Sequence, residues 1–153
     1  MKFIATTAAV LIALAVTGNA TSAFAAEPAG AAAATSLTVR FTGIETPNGT
    51  VLLSLFSSEA AFDAGGKPIA SLMAPVKGNT AEAGFSGLTP GRYAVKAFHD
   101  VDGDGAMGTT PFGMPTEPFA FSNDAIGEAG PAKWAAASFD LGASDAVHTI
   151  KIR

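Results

Sequence analysis

An all-β fold, an antiparallel β-sandwich of about seven strands with one long loop, is predicted by three observations. Apolar residues recur at period two through most of the chain, Gly and Pro turns separate these runs at regular spacing, and helical periodicity is nearly absent.

The first strand begins at Ser36. Leu37, Val39 and Phe41 alternate with Thr38, Arg40 and Thr42, and Gly43 ends the run. Pro47-Asn48-Gly49 follows, and Asn-Gly is a strong hairpin signal because both residues tolerate positive φ. Thr50 to Phe56 reads as a central strand: Val51, Leu53 and Leu55 fill one face, and Leu52 and Phe56 weight the other. One helical turn is expected over Ser57 to Phe62, capped by Ser58 and ended by Gly65-Gly66. Ile69 to Val76 contains Pro75, which places it at a sheet edge. Gly78-Asn79 turns the chain into a strand over Thr80 to Phe85. The turn Leu88-Thr89-Pro90-Gly91 feeds another over Arg92 to Phe98, with Tyr93, Val95 and Ala97 on one face and Ala94, Lys96 and Phe98 on the other. The last two strands are expected over Trp134 to Leu141 and Val147 to Ile152.

Three segments divide the chain. Lys2 is followed by no charge until Glu27, an apolar run covers Ala8 to Val16, and Ala23-Phe24-Ala25 supplies an A-x-A ending. These are the parts of a secretory signal peptide over residues 1–25, with cleavage after Ala25. Its apolar centre falls short of the roughly 20 residues that span a bilayer, so no membrane span is expected. Residues 26–35 are Ala-rich and read as a flexible leader, and residues 36–153 form the β-sandwich domain. The expected location is periplasmic or secreted. Cleavage of the 153-residue chain after Ala25 leaves 128 residues carrying 8 basic and 13 acidic side chains. Such an acidic chain with scattered Lys and Arg excludes nucleic acid as a partner, because phosphate contacts need clustered cations. With no cysteine there are no disulfides, no thiolate chemistry and no lipid anchor on a cysteine. A monomer is expected, with an envelope protein or a small ligand as partner.

Between Phe98 and Trp134 lies a long segment rich in Pro and Gly, with no clean period. Loops of this length in a compact domain are functional or disordered, and Phe112, Phe119 and Phe121 argue against disorder. Pro111 to Phe121 is either a lid packed on the sandwich or, if its Phe and Met side chains are exposed, a ligand surface. The lid is the expected arrangement.

The same segment opens with His99-Asp100-Val101-Asp102-Gly103-Asp104-Gly105, which contains D-x-D-x-D-G. Carboxylates at alternate positions of a tightly curled segment converge on one point, the first half of a calcium loop. Asp100, Asp102 and Asp104 are the expected Ca2+ ligands, with the carbonyl of Ala106 next. The twelfth residue from Asp100 is Pro111 and the ninth is Gly108, so the usual closing Glu is missing. Glu117 closes the shell only if the following segment folds back. Asp and Gly are also good turn formers with no ion involved, although a turn does not require three like charges in five residues.

Taken together, Leu88-Thr89-Pro90-Gly91-Arg92-Tyr93-Ala94-Val95, His99-Asp100 with its acidic run, Gly113-Met114-Pro115, Glu117 and Phe121-Ser122-Asn123 resemble a family of exported bacterial proteins catalogued as domain of unknown function 2141. The likeness runs from about Ser36 to Arg153. It implies a sandwich similar to transthyretin and to carboxypeptidase regulatory domains, and it brings no established activity. Members of that family usually carry Asn where this chain has Asp102 and Asp104, and an acid where it has Gly108. By this resemblance the present loop has added charge and one ligand fewer.

Other chemistry is thinly supported. His99 beside Asp100, with Glu117, admits a metal-assisted hydrolase. A histidine at a strand end also serves as a hydrogen-bonding residue that holds the next loop, and that role is expected. Ser122 lacks the flanking glycines of a nucleophile elbow. Trp134 and Tyr93, single residues of their kinds, are expected in the core. The chain is therefore expected to be a non-enzymatic accessory or binding domain, with a purely structural envelope module as a further alternative.

Overall fold

The computed structural model describes residues 34–153. The expected signal peptide and residues 26–33 of the expected leader lie outside the described residues. Eight strands form two sheets: β1 (Thr35–Thr42), β2 (Thr50–Phe56), β3 (Ala70–Pro75), β4 (Ala81–Leu88), β5 (Gly91–Asp100), β6 (Phe119–Phe121), β7 (Phe139–Leu141) and β8 (Ala146–Lys151). Two short helices interrupt them, α1 (Glu59–Asp63) and α2 (Trp134–Ala137). Among the described residues no helix is long and apolar enough to cross a membrane.

One sheet has the order β4-β1-β8 and the other β3-β2-β5-β6, with β7 pairing the first residues of β5. The alternation read from the sequence faces as expected. Leu37, Val39 and Phe41 of β1, Val51, Leu53 and Leu55 of β2, Val95 of β5 and Ile150 of β8 are buried between the sheets. Pro75 ends β3 at the edge of its sheet, where a missing donor interrupts no ladder. Ser58 caps α1, its hydroxyl accepting from the Ala61 N–H.

Four expectations are corrected. The Asn48-Gly49 turn does not close a hairpin: β1 and β2 belong to different sheets. Both edges of β2 are taken by β3 and β5, and both edges of β1 by β4 and β8, so the turn serves as a corner between layers. The sandwich is not wholly antiparallel, because β1 and β8 pair in parallel from Leu37↔Ala146 to Thr42↔Lys151. Nearly the whole domain connects these two strands, ample for a parallel pair. The strand expected over Trp134 to Leu141 splits into α2 and the three-residue β7. Its Trp-Ala-Ala-Ala start suits a helix as well as a strand, and short apolar runs do not separate the two by period. Finally, the long loop contributes β6, which adds to β5 beside Lys96, Ala97 and Phe98 and brings the strand total to eight.

The split strand has a packing reason. α1 and α2 lie over one half of the outer face of the β3-β2-β5-β6 sheet and build a second core there. Phe62 is its fully buried centre, with Phe56, Phe121 and Trp134 in edge-on contact at centroid distances of 5.4, 6.2 and 5.9 Å. The Trp134 N–H, which opens α2, donates to Asp63 Oδ1 at 2.8 Å and ties the two helices together. Tyr93 and Trp134 are both buried, as expected.

Candidate functional site: the acidic loop and its surroundings

At the end of β5 the period-two alternation sends His99 inward and Asp100 outward. His99 is fully buried, and its Nε2 pairs with the Asn48 carbonyl at 2.6 Å. The adjoining Gly49 lies so close that a Cβ there would collide with the Asp100 carbonyl. His99 therefore anchors the corner between β1 and β2: it is a hydrogen-bonding residue as expected, but its side chain holds this earlier corner and not the next loop.

Asp100 is buried as well and organises the loop by itself. Its Oδ1 accepts from the Gly103 N–H at 2.7 Å and its Oδ2 from the Gly105 N–H at 3.0 Å. The chain curls around the carboxylate through left-handed turns at Gly103 (φ 80) and Gly105 (φ 76), a conformation glycine adopts without strain. Asp102 Oδ1 accepts from the Asp104 N–H, and Asp104 Oδ1 from the Ala106 N–H. Each aspartate thus closes a local turn onto the backbone two or more residues ahead.

Glu117 does fold back. Its Oε1 accepts from the Val101 N–H at 3.1 Å and its Oε2 from the Gly108 N–H at 3.0 Å. The return is locked by Thr116 N–H to the Gly108 carbonyl and His99 N–H to the Pro118 carbonyl, both 2.8 Å. A Cβ at Gly108 would press on Thr116 Oγ1, so a side chain there requires Thr116 to turn away. Asp100, Asp102 and Glu117 consequently offer carboxylate oxygens within 4.8 Å of one another. Asp104 is outside that group, and Ala106 enters the loop through its N–H to Asp104. The ion pairs found among the described residues, Arg40–Glu82 and Arg92–Asp140, are elsewhere, so no ion pair with Lys or Arg balances the three carboxylates. Hydrogen bonds from backbone N–H groups fix the geometry but leave the net charge for a cation.

Phe121-Ser122-Asn123 forms a clamp rather than a reactive centre. Ser122 Oγ is buried, accepts from the Val95 N–H at 2.8 Å and donates to the Ala137 carbonyl at 2.6 Å. Asn123 and Asp124 both have positive φ, 60 and 52. In that conformation Asn123 Nδ2 donates to the carbonyls of Ala136 and Ser138, and Asp124 Oδ1 accepts from the Lys151 N–H. Three residues, Ser122, Asn123 and Asp124, thus link β5, α2 and β8. The tight turn after a strand is legible in the sequence, but the partners of these bonds are up to 27 residues away.

His148 joins this clamp. Its ring stacks on Phe139 with centroids 4.0 Å apart, and its Nε2 accepts from the Asn123 N–H. Burial lowers its pKa below the ordinary 6.5, opposed by the nearby Asp124 carboxylate. The unfolded chain then binds the proton more readily than the folded one, so stability rises with pH across this window. The contribution is complete above about pH 6.5 and is lost as pH falls through the depressed folded value. Urea denaturation from pH 7.5 to pH 5 is expected to show wild-type stability falling more steeply than that of His148→Gln. Parallel pH profiles would refute the assignment.

The packed lid expected over Pro111 to Phe121 is corrected. Phe112 is 91% and Met114 64% exposed, while Ala120 and Phe121 are buried. Thr110 and Met114 close their own small turn, Thr110 N–H to the Met114 carbonyl and Met114 N–H to Thr110 Oγ1. That turn holds the tip off the sheet. Beneath it the outer face of β2 and β5 forms an open groove containing Lys96. Sequence reasoning did not single out Lys96, although an isolated cation on the apolar outward face of a central strand was a usable signal.

No curated protein and no solved structure matches the chain. A family model described as "Uncharacterized protein conserved in bacteria (DUF2141)" matches residues 39–149, a span that runs from within β1 to within β8 and takes in the acidic loop with Glu117 and the Ser122 clamp. This chain belongs to the DUF2141 family of bacterial proteins.

Proposed function

We propose that this is an exported, non-enzymatic accessory or binding domain whose acidic loop takes up Ca2+. One observation carries the reading: Glu117 returns across the loop and joins Asp100 and Asp102 within 4.8 Å, the closure that the Asp spacing lacked. Ca2+ accepts six to eight oxygens in flexible geometry, so water and carbonyls complete a shell of three carboxylates. The signal peptide read at the N-terminus supports a periplasmic or secreted setting, where sites with Kd of about 0.1–1 mM still fill. In a domain without cysteine, the ion would serve as the cross-link between the start and the end of the long loop. The burial of His99 and its bond to Asn48 support a structural rather than a hydrolytic role for that residue.

Calorimetric titration with Ca2+, and thermal melts with Ca2+ and with chelator, test the proposal. At ten times Kd the ion should stabilise the domain by about 1–2 kcal/mol. Glu117→Gln should lose most of the binding heat while remaining folded. Absence of both heat and melting shift at millimolar Ca2+ would rule calcium out.

A further inference from the structure

The outer face of the β3-β2-β5-β6 sheet is only half sealed. α1 and α2 cover Phe56, Ala94 and Phe121, and the remainder is a groove of about 880 Å³, within the roughly 300–1,000 Å³ of small-ligand clefts. Leu52, Ser54 and Phe98 lie on the sheet that floors it, Phe119 stands beside Phe98 on β6, and Met107 and Met114 of the exposed tip add a methionine wall. Among the described residues, Lys96 is the only charged one in its lining.

The chemistry of the groove narrows its occupant. Lys96 Nζ donates to the Phe62 carbonyl and lies 4.4 Å from the Phe62 ring centroid and 5.3 Å from that of Phe56. Among the described ion pairs it has no part, and an ammonium has three donors. The Asp63 carboxylate, which accepts from the Trp134 N–H, and the Lys133 ammonium act on Lys96 from the side of α1 and α2. On the groove side no described residue supplies an anion, and a half-buried cation favours one beside it. The rest of the lining offers few polar partners, and Ser54 and Ser71 are bonded to each other at 2.9 Å. An extended peptide would bring an amide pair with every residue, each needing a partner. The floor strands are already paired on both edges, so strand addition cannot supply those partners. An alkyl chain makes no such demand, and flexible methionines adapt to its shape.

We propose that this groove binds a long-chain, fatty-acid-type carboxylate, its head group on the Lys96 ammonium and its tail along Leu52 and Phe98 between Phe119 and the methionine wall. The inference is independent of calcium.

The test is calorimetric titration of delipidated protein with laurate below its micelle concentration. One laurate per chain should bind saturably. Lys96→Met should weaken binding about tenfold or more, the loss of one charge-assisted contact. Met114→Asp, at a position already 64% exposed and so without risk to the fold, should weaken it similarly by placing a carboxylate in the wall. Dodecyltrimethylammonium, with the same tail and a cationic head, should bind the wild type at least tenfold more weakly than laurate. Absence of saturable laurate binding, equal affinity for the two amphiphiles, or laurate binding unchanged in Met114→Asp would overturn the proposal. So would a stable dimer in sedimentation that Met114→Asp dissociates, since a second copy would then be the occupant.

Discussion

Phe62→Ala is expected to destabilise the domain by about 3–5 kcal/mol, the range for removing a fully buried phenylalanine. The ring is the hub of the second core, in edge-on contact with Phe56, Phe121 and Trp134 and beneath the Lys96 ammonium. Its neighbours come from β2, β6, α2 and β5, so no single element can move in to fill the cavity. Three aromatic contacts are lost together, each worth about 0.5–1.5 kcal/mol beyond the burial of area. Urea denaturation measures the loss, and the melting temperature should fall by roughly 10–20 °C. Phe62→Leu, which keeps most of the volume, should be clearly milder. A loss below about 1 kcal/mol for Phe62→Ala would mean that α1 and α2 add little to stability.

Ser122→Ala is expected to destabilise by about 2–4 kcal/mol, although it removes one oxygen atom. The hydroxyl satisfies the Val95 N–H and the Ala137 carbonyl in a site closed to water. Each buried group left without a partner costs about 1–3 kcal/mol. Ser122→Gly would leave the same groups unpaired but admit water, so it should be less damaging than volume alone suggests. Hydrogen exchange separates the hydroxyl's role from a general loss of packing: the Val95 amide should lose protection more than its neighbours in β5. Uniform loss along β5 would contradict the clamp.

The fold was legible wherever one residue's neighbours in the chain decide its surroundings. Alternation placed Leu37, Val39 and Phe41 on one face of β1, and the cap at Ser58 and the edge strand at Pro75 follow from local stereochemistry. The failures share one cause, since pairing and packing partners are distant. Asn48-Gly49 has the chemistry of a hairpin, yet the edges of β1 and β2 were taken by strands far along the chain. The Trp-Ala-Ala-Ala run became helical because Trp134 packs on Phe62 and its N–H meets Asp63, 71 positions away.

The candidate site divides the same way. Asp100, Asp102 and Asp104 share one tight loop for local reasons, because alternate aspartates with glycines at left-handed positions curl onto their own backbone N–H groups. The alternation of β5 also puts Lys96 on the face it shares with Ala94 and Phe98, although nothing local marks that face as the open one. Which carboxylates meet depends on long-range contacts. Glu117 replaces Asp104 in the cluster because the return of the chain is set by the pairing of β6 with β5 and by the His99–Pro118 bond. Only the tertiary structure left that outer face open beside Lys96, because α1 and α2 are long enough to cover just one half of it. Local stereochemistry is written in adjacent residues, whereas convergence and coverage depend on contacts whose partners lie tens of residues apart.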